Sequence, residues 1–155
     1  MRRLSFAVAS ALAVVLGVSS CSSDATAPAA ADCADNTTSV NAHTTVGDSI
    51  VFDWTPKCAV ALLVVEETMG HDHWWIACFN PDSVDNPTTS ANRIAPRVTF
   101  GRVPAKITDS FGPEPLLAGT TYLVALWRVL PSGSTLECQQ KHGDACLVAV
   151  TSFLR

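Results

Sequence analysis

The sequence lacks the short motifs by which many catalytic centres are recognised. It has no Gly-x-Ser-x-Gly nucleophile turn, no His-Glu-x-x-His zinc helix and no glycine-rich phosphate loop. Its adjacent carboxylates, Glu66 and Glu67, lie in a strand-like run, where neighbouring side chains point to opposite faces and cannot act together on one bond. We therefore expect no catalytic residues, no cofactor and a protein that is not an enzyme.

Basic residues are also scarce. Ten Lys and Arg stand against fourteen Asp and Glu, which gives a formal net charge of −4. A protein that binds nucleic acid through its phosphates normally carries a basic surplus. The composition therefore predicts no nucleic-acid partner.

The N-terminal apolar run is shorter than the roughly 20 residues that a membrane-spanning helix needs. It covers residues 4–18, follows Arg2 and Arg3, and ends in small residues. This layout is typical of a secretory signal peptide, which is removed after export.

The residues at the end of this run, Val18-Ser19-Ser20-Cys21, resemble the lipobox of bacterial lipoproteins. The resemblance implies cleavage before Cys21, acylation of its thiol and anchoring to a membrane through the lipid. In a Gram-negative host, Ser22 would favour the outer membrane. We therefore divide the chain into a signal peptide at 1–20, the lipidated cysteine with a flexible tether at 21–45, and one globular domain at 46–155.

Short strand-like runs bounded by turn residues follow, without long helical periodicity. Residues 59–66 are nearly continuous in aliphatic side chains, as in a strand buried on both faces. The polar stretch at 80–92 predicts a surface loop and the main site of disorder within the domain. The runs predict an all-β fold, an antiparallel β-sandwich of about seven strands; they lie at 49–54, 59–66, 74–79, 97–103, 106–108, 121–129 and 146–154.

Two segments resemble the fibronectin type III family of immunoglobulin-like sandwiches. Residues 117–125 resemble its leucine and glycine turn before a strand that opens with tyrosine, so Tyr122 is expected to bury its ring while its hydroxyl closes the turn. Residues 51–56 resemble its second strand, in which Trp54 packs in the core. The resemblance covers roughly residues 46–153. It implies a fold but no ligand, because the chain contains no Arg-Gly-Asp triplet.

Six cysteines leave an odd number once Cys21 carries a lipid. In an oxidising compartment one thiol then remains over, and the sequence alone leaves several pairings open. We favour a disulfide between Cys138 and Cys146, with Cys58 and Cys78 as a second pair. Cys33 would then be free or paired with another chain. No Cys-x-x-Cys spacing indicates a metal-binding or reactive thiol.

The segment His71-Asp72-His73-Trp74-Trp75 offers two possible binding features. Alternate histidines on a strand share a face, so His71 and His73 could present two imidazoles to zinc or copper. His43 or the His142-Gly143-Asp144 turn could complete such a site only if the fold brought them close. The simpler interpretation is a polar hairpin tip that leads into core tryptophans.

Trp74 and Trp75 offer a second possibility, because one of two adjacent residues in a strand faces outward. An exposed indole there could stack on a sugar ring and give a glycan-binding face. The leading interpretation is thus a membrane-anchored, non-catalytic interaction module that binds an envelope protein or a polysaccharide. The alternatives are a metal-binding envelope protein using His71 and His73, and an unrecognised extracytoplasmic hydrolase.

Overall fold

The computed structural model describes residues 33–34, 37–79, 89–105, 107–132, 134–135, 137–138, 140–142 and 145–155. The predicted signal peptide, Cys21 and most of the predicted loop at 80–92 lie outside these residues, as do Gly143 and Asp144. Within the described part of the chain, no helix has the length and apolar character to cross a membrane.

The described residues form β-strands and one short 3-10 turn at Thr89–Ala91. In chain order the strands are β1 Asn41–Val46, β2 Ile50–Thr55, β3 Leu62–Glu67, β4 Asp72–Ala77, β5 Val98–Thr99, β6 Asp109–Phe111, β7 Thr121–Val129, β8 Lys141–His142 and β9 Ala145–Leu154.

The strands make two antiparallel sheets. A three-stranded sheet has the order β1-β2-β5, and a six-stranded sheet has the order β6-β4-β3-β7-β9-β8. Aromatic side chains from both sheets meet between them, for instance Phe52 of β2 and Phe153 of β9. The prediction of an all-β antiparallel sandwich is therefore confirmed.

Alternation of side chains along the strands explains the core, because every second residue points between the sheets. The residues that do so in β2 and β7 are Ile50, Phe52, Trp54, Tyr122, Val124 and Leu126, all of them buried. The Tyr122 hydroxyl accepts a hydrogen bond from the Leu117 backbone nitrogen at 2.9 Å. This bond closes the turn before β7 in the way the sequence predicts.

Several strand bounds differ from the predictions. β3 begins at Leu62, and its outer face is half-exposed at Leu62 and Val64, so the prediction of burial on both faces is wrong. β5 has only two residues, because the chain turns at Gly101 with φ +75°. β1 lies in the predicted tether except for its last residue, Val46. It is an edge strand of mainly polar residues, and it therefore carries no apolar pattern that would reveal it.

The cysteine pairing also differs. A disulfide joins Cys33 to Cys58, with the two Cα atoms 5.3 Å apart. Antiparallel pairing of β1 with β2 places Asn41 opposite Thr55, so the chain before β1 lies beside the chain after β2. The prediction that Cys33 is free or paired with another chain is therefore wrong, and so is the pairing of Cys58 with Cys78.

The predicted disulfide between Cys138 and Cys146 is absent as well, since both thiols are free, like that of Cys78. The β8–β9 register pairs Lys141 with Cys146, which leaves Cys138 three residues before the position that faces Cys146. Cys146 is fully buried and Cys78 nearly so, whereas Cys138 is half-exposed. Burial also raises the pKa of the Cys78 thiol.

These environments predict the reactivity of the thiols in a soluble form of the chain that begins after Cys21. Iodoacetamide should alkylate only Cys138 quickly in the folded protein, because the reactive thiolate must be accessible. Unfolding without reduction should expose three thiols, counted by intact mass. A Cys138→Ser control should lose the fast reaction. Fast labelling of two or more thiols in the folded chain would contradict the assignment.

Candidate metal centre

The candidate site lies at the end of the β3–β4 hairpin. The Glu67 backbone nitrogen donates to the His71 carbonyl at 2.9 Å, and the Gly70 nitrogen donates to the Glu67 carbonyl at the same distance. Gly70 takes φ +82°, a conformation that glycine adopts without strain. This tight turn holds the last residue of β3 beside the first residues of β4.

A β-bulge in β4 determines where His73 points. Val65 pairs with Trp74, but the next residue, Glu66, pairs with Asp72, so His73 is the extra residue between them. A bulge interrupts the alternation of side chains and can re-aim one of them. As a result His73 and Trp74 are both buried, although they are neighbours in the chain.

The His73 imidazole is enclosed on two sides. Its Nε2 atom lies 3.1 Å from Oε1 of Glu67, and its ring meets the Tyr122 ring edge-on at a centroid distance of 5.0 Å. The residue is 6% exposed, yet its Nδ1 atom has no hydrogen-bond partner. The nearest charged atom recorded on that side is Oε2 of Glu114, 3.9 Å away. The buried imidazole therefore has one satisfied nitrogen and one available nitrogen.

Glu114 reaches the hairpin from the connection between β6 and β7. Its backbone nitrogen donates to the His73 carbonyl at 2.8 Å. The approach is close because residue 112 is a glycine: it has φ +79°, and a Cβ atom there would collide with the His73 carbonyl oxygen. Gly112 thus allows this connection to lie directly against β4.

His71 completes the cluster from the exposed side. Its Nε2 atom lies 2.9 Å from Oε2 of Glu114, and its ring is perpendicular to that of His73 at a centroid distance of 4.9 Å. The hydrogen bond to Glu114 raises the pKa of His71 above its ordinary value. With its side chain 61% exposed, His71 has room to adjust its position.

The three ligand atoms of His71, His73 and Glu114 lie within 4.8 Å of one another. A tetrahedral ion with bonds of about 2.0–2.1 Å needs ligand atoms roughly 3.4 Å apart. Oε2 of Glu114 lies 2.9 Å from Nε2 of His71 and 3.9 Å from Nδ1 of His73, on either side of that spacing, and the exposed side chains of His71 and Glu114 both have room to adjust. Two imidazoles and one carboxylate would fill three positions of such an ion and leave the fourth open, as in zinc sites of the His₂Glu type.

No protein-family model, curated protein or solved structure was found to match this chain.

The structure brings some of the predicted metal ligands together and places others elsewhere. His71 and His73 come together, but His43 lies elsewhere, in β1, 3.9 Å from Asp53. The side chain of His142, with Gly143 and Asp144, falls outside the described residues. Glu114 was not predicted, since it is 43 residues from His71 and no sequence pattern links the two.

The two tryptophans of β4 separate as alternation predicts. Trp74 is fully buried in the core, while Trp75 is half-exposed and faces Phe111 of β6.

The outer face of the six-stranded sheet forms an open and largely apolar groove. Its apolar lining includes Leu62, Val64, Leu123, Trp127, Leu147 and Val150.

The close approach at Gly112 leads to a stability prediction with a matched control. Gly70→Ala introduces only backbone strain, because the space around that position is open, and should cost about 1 kcal/mol. Gly112→Ala adds the collision with β4 and should cost on the order of 3 kcal/mol. Urea unfolding of both variants measures the difference. Equal losses would mean that this connection does not lie against β4.

Proposed function

We propose that this protein binds a divalent transition-metal ion, zinc or copper, through Nδ1 of His73, Nε2 of His71 and the carboxylate of Glu114. The observation that carries the proposal is the unpartnered Nδ1 atom of the buried His73, next to two further groups of metal-binding type. Leaving a buried polar atom without a partner costs about 1–3 kcal/mol. A metal ion would remove that cost by using its lone pair.

The chemistry of the ligands favours particular metals. Calcium and magnesium prefer oxygen ligands, whereas two imidazole nitrogens with one carboxylate oxygen suit zinc, copper, nickel or iron. Copper(II) generally binds such ligands more tightly than zinc does. We therefore expect uptake of both ions, with the higher affinity for copper(II).

Titration of an untagged soluble form with zinc and with copper(II) tests the proposal. Cys138→Ser in all samples removes the accessible thiol as a competing ligand. One ion should bind per chain, and His73→Ala or Glu114→Ala should weaken binding by more than the roughly 10- to 100-fold that loss of an outer-shell partner costs. His43→Ala, the matched control, should bind normally.

Binding should also weaken as the pH falls through the raised pKa of His71, because a protonated imidazole cannot coordinate a metal. Absence of uptake, or uptake that is unchanged in both the His73→Ala and Glu114→Ala variants, would rule out the site.

We further propose that the domain is exported and held at a membrane by a lipid on Cys21. The support is the sequence alone: two arginines, a short apolar run and the lipobox-like residues 18–21. The intact mass of the protein extracted from membranes, with the alkylation described above, checks this proposal. It should correspond to an acylated chain that begins at Cys21, and a mass without lipid would contradict it.

A fibronectin type III-like arrangement is proposed for the sandwich. Its support is the buried Trp54 in β2 and the Tyr122 hydroxyl that closes the turn before β7. The division of the strands into two antiparallel sheets also supports the proposal. An experimental structure with a different strand order would overturn it.

The apolar outer groove supports a second candidate function, attachment of another envelope protein. Large apolar patches on a surface often mark protein-binding sites, and the mainly aliphatic lining favours a protein over a sugar. Cross-linking in cells should capture a partner of the wild-type chain, and the Leu62→Glu variant should fail to capture that partner. Leu117→Glu changes an exposed leucine away from the groove and should retain that partner. Equal capture by both variants would exclude the groove.

A further inference from the structure

We propose that Glu67 is the positioning residue of the metal centre: its carboxylate holds His73 with the proton on Nε2, so that Nδ1 offers its lone pair to the ion. The role in metal binding rests on the function proposed above. The state of the imidazole, however, is a property of the protein without metal and can be measured separately.

The hydrogen bond between the two side chains determines the tautomer. Oε1 of Glu67 lies 3.1 Å from Nε2 of His73. An ionised carboxylate can only accept hydrogen bonds, so Nε2 must donate. A neutral imidazole carries one N–H, and Nδ1 is then the unprotonated nitrogen. It is this nitrogen that lies on the side of Glu114 and lacks a partner.

The surroundings keep this orientation fixed. Glu67 is tied to the hairpin by its backbone bond to His71, and it pairs with Tyr122 in the β3–β7 ladder. The Tyr122 ring meets the His73 ring edge-on and stacks on Phe153 at a centroid distance of 5.6 Å. A flip of the imidazole would break the bond to Glu67 inside a packed region. Such outer-shell carboxylates orient metal-binding histidines and raise their basicity.

A competing arrangement would place the ion between Glu67 and Nε2 of His73, with Glu67 as a direct ligand. The positions of the other groups oppose it. Oε2 of Glu114 lies 3.9 Å from Nδ1, on the other side of the ring, and the same oxygen lies 2.9 Å from Nε2 of His71. Glu114, with His71 bonded to it, therefore lies on the Nδ1 side, whereas Nε2 has Glu67 alone as its recorded polar contact.

Nitrogen-15 NMR of the imidazole rings in the metal-free soluble protein at about pH 8 tests the tautomer, because neutral histidine gives distinct signals for its two forms. The wild-type chain should have His73 protonated on Nε2. Glu67→Gln replaces a carboxylate, which can only accept a hydrogen bond, with an amide, which can accept or donate one. The variant should therefore change the populations of the two His73 tautomers.

Zinc titration of the same samples tests the role in binding. Glu67→Gln should weaken zinc binding by about 10- to 100-fold. Glu66→Gln is the matched control: it removes the same charge one residue away, beside Asp72 on the outer face, and should change binding by less than about threefold. Glu67→Asp keeps the charge but shortens the side chain, so it should weaken binding as well. Thermal unfolding of each variant checks that the fold is retained.

The outcomes separate the two proposals. An Nε2-protonated His73 with a selective loss of zinc affinity in the Glu67 variants would support the inference. Normal zinc uptake with His73 protonated on Nδ1, or equal losses of zinc affinity in Glu66→Gln and Glu67→Gln, would overturn the role of Glu67 but leave the proposed metal binding standing. Absence of zinc uptake in the wild-type chain would overturn the proposed function and, with it, the role of Glu67 in the site.

Discussion

Packing of the Phe52 ring joins the two sheets, and the geometry of the site depends on it. Phe52 comes from the three-stranded sheet, and its ring centroid lies 6.2 Å from that of Trp74 and 5.8 Å from that of Phe153 in the six-stranded sheet. Phe153 stacks on Tyr122, which in turn meets His73. Aromatic contacts therefore extend from the centre of the core to the cluster of His71, His73 and Glu114. Because protein interiors are close-packed, the rings cannot move independently. The contacts that hold the sheets together therefore also position His73.

The bulge in β4 determines how His73 joins this packing. In an unbroken strand, alternation would place Trp74 in the core and turn His73 to the outer face, with Trp75. The extra residue in the ladder turns His73 inward instead, against Tyr122 and towards Glu114. Bulges often adjust side chains next to functional sites in this manner. A local irregularity in the strand ladder thus places the His73 imidazole beside Glu114.

His73 is held in place by its neighbours, but one of its polar atoms, Nδ1, has no hydrogen-bond partner. Other buried polar atoms without a partner occur in the described residues, at Thr44 and Trp74. His73 differs from these two because further groups of metal-binding type lie beside its free nitrogen, namely those of His71 and Glu114. Buried polar atoms without a partner depart from the general rule for protein interiors, and such departures are expected at functional or strained sites. The apolar outer groove is lined by other side chains of the same sheet, among them Val64 and Trp127.

The sequence by itself determined the fold class and the histidine pair, because both depend on residues close together in the chain. Alternating apolar residues specify where a strand such as β7 forms, and they reveal nothing about a polar edge strand such as β1. Only the tertiary structure decided the disulfide between Cys33 and Cys58, the inward turn of His73 and the arrival of Glu114. These features arise from strand register and from the path of a connection held against β4, and such long-range contacts leave no periodic trace in the sequence.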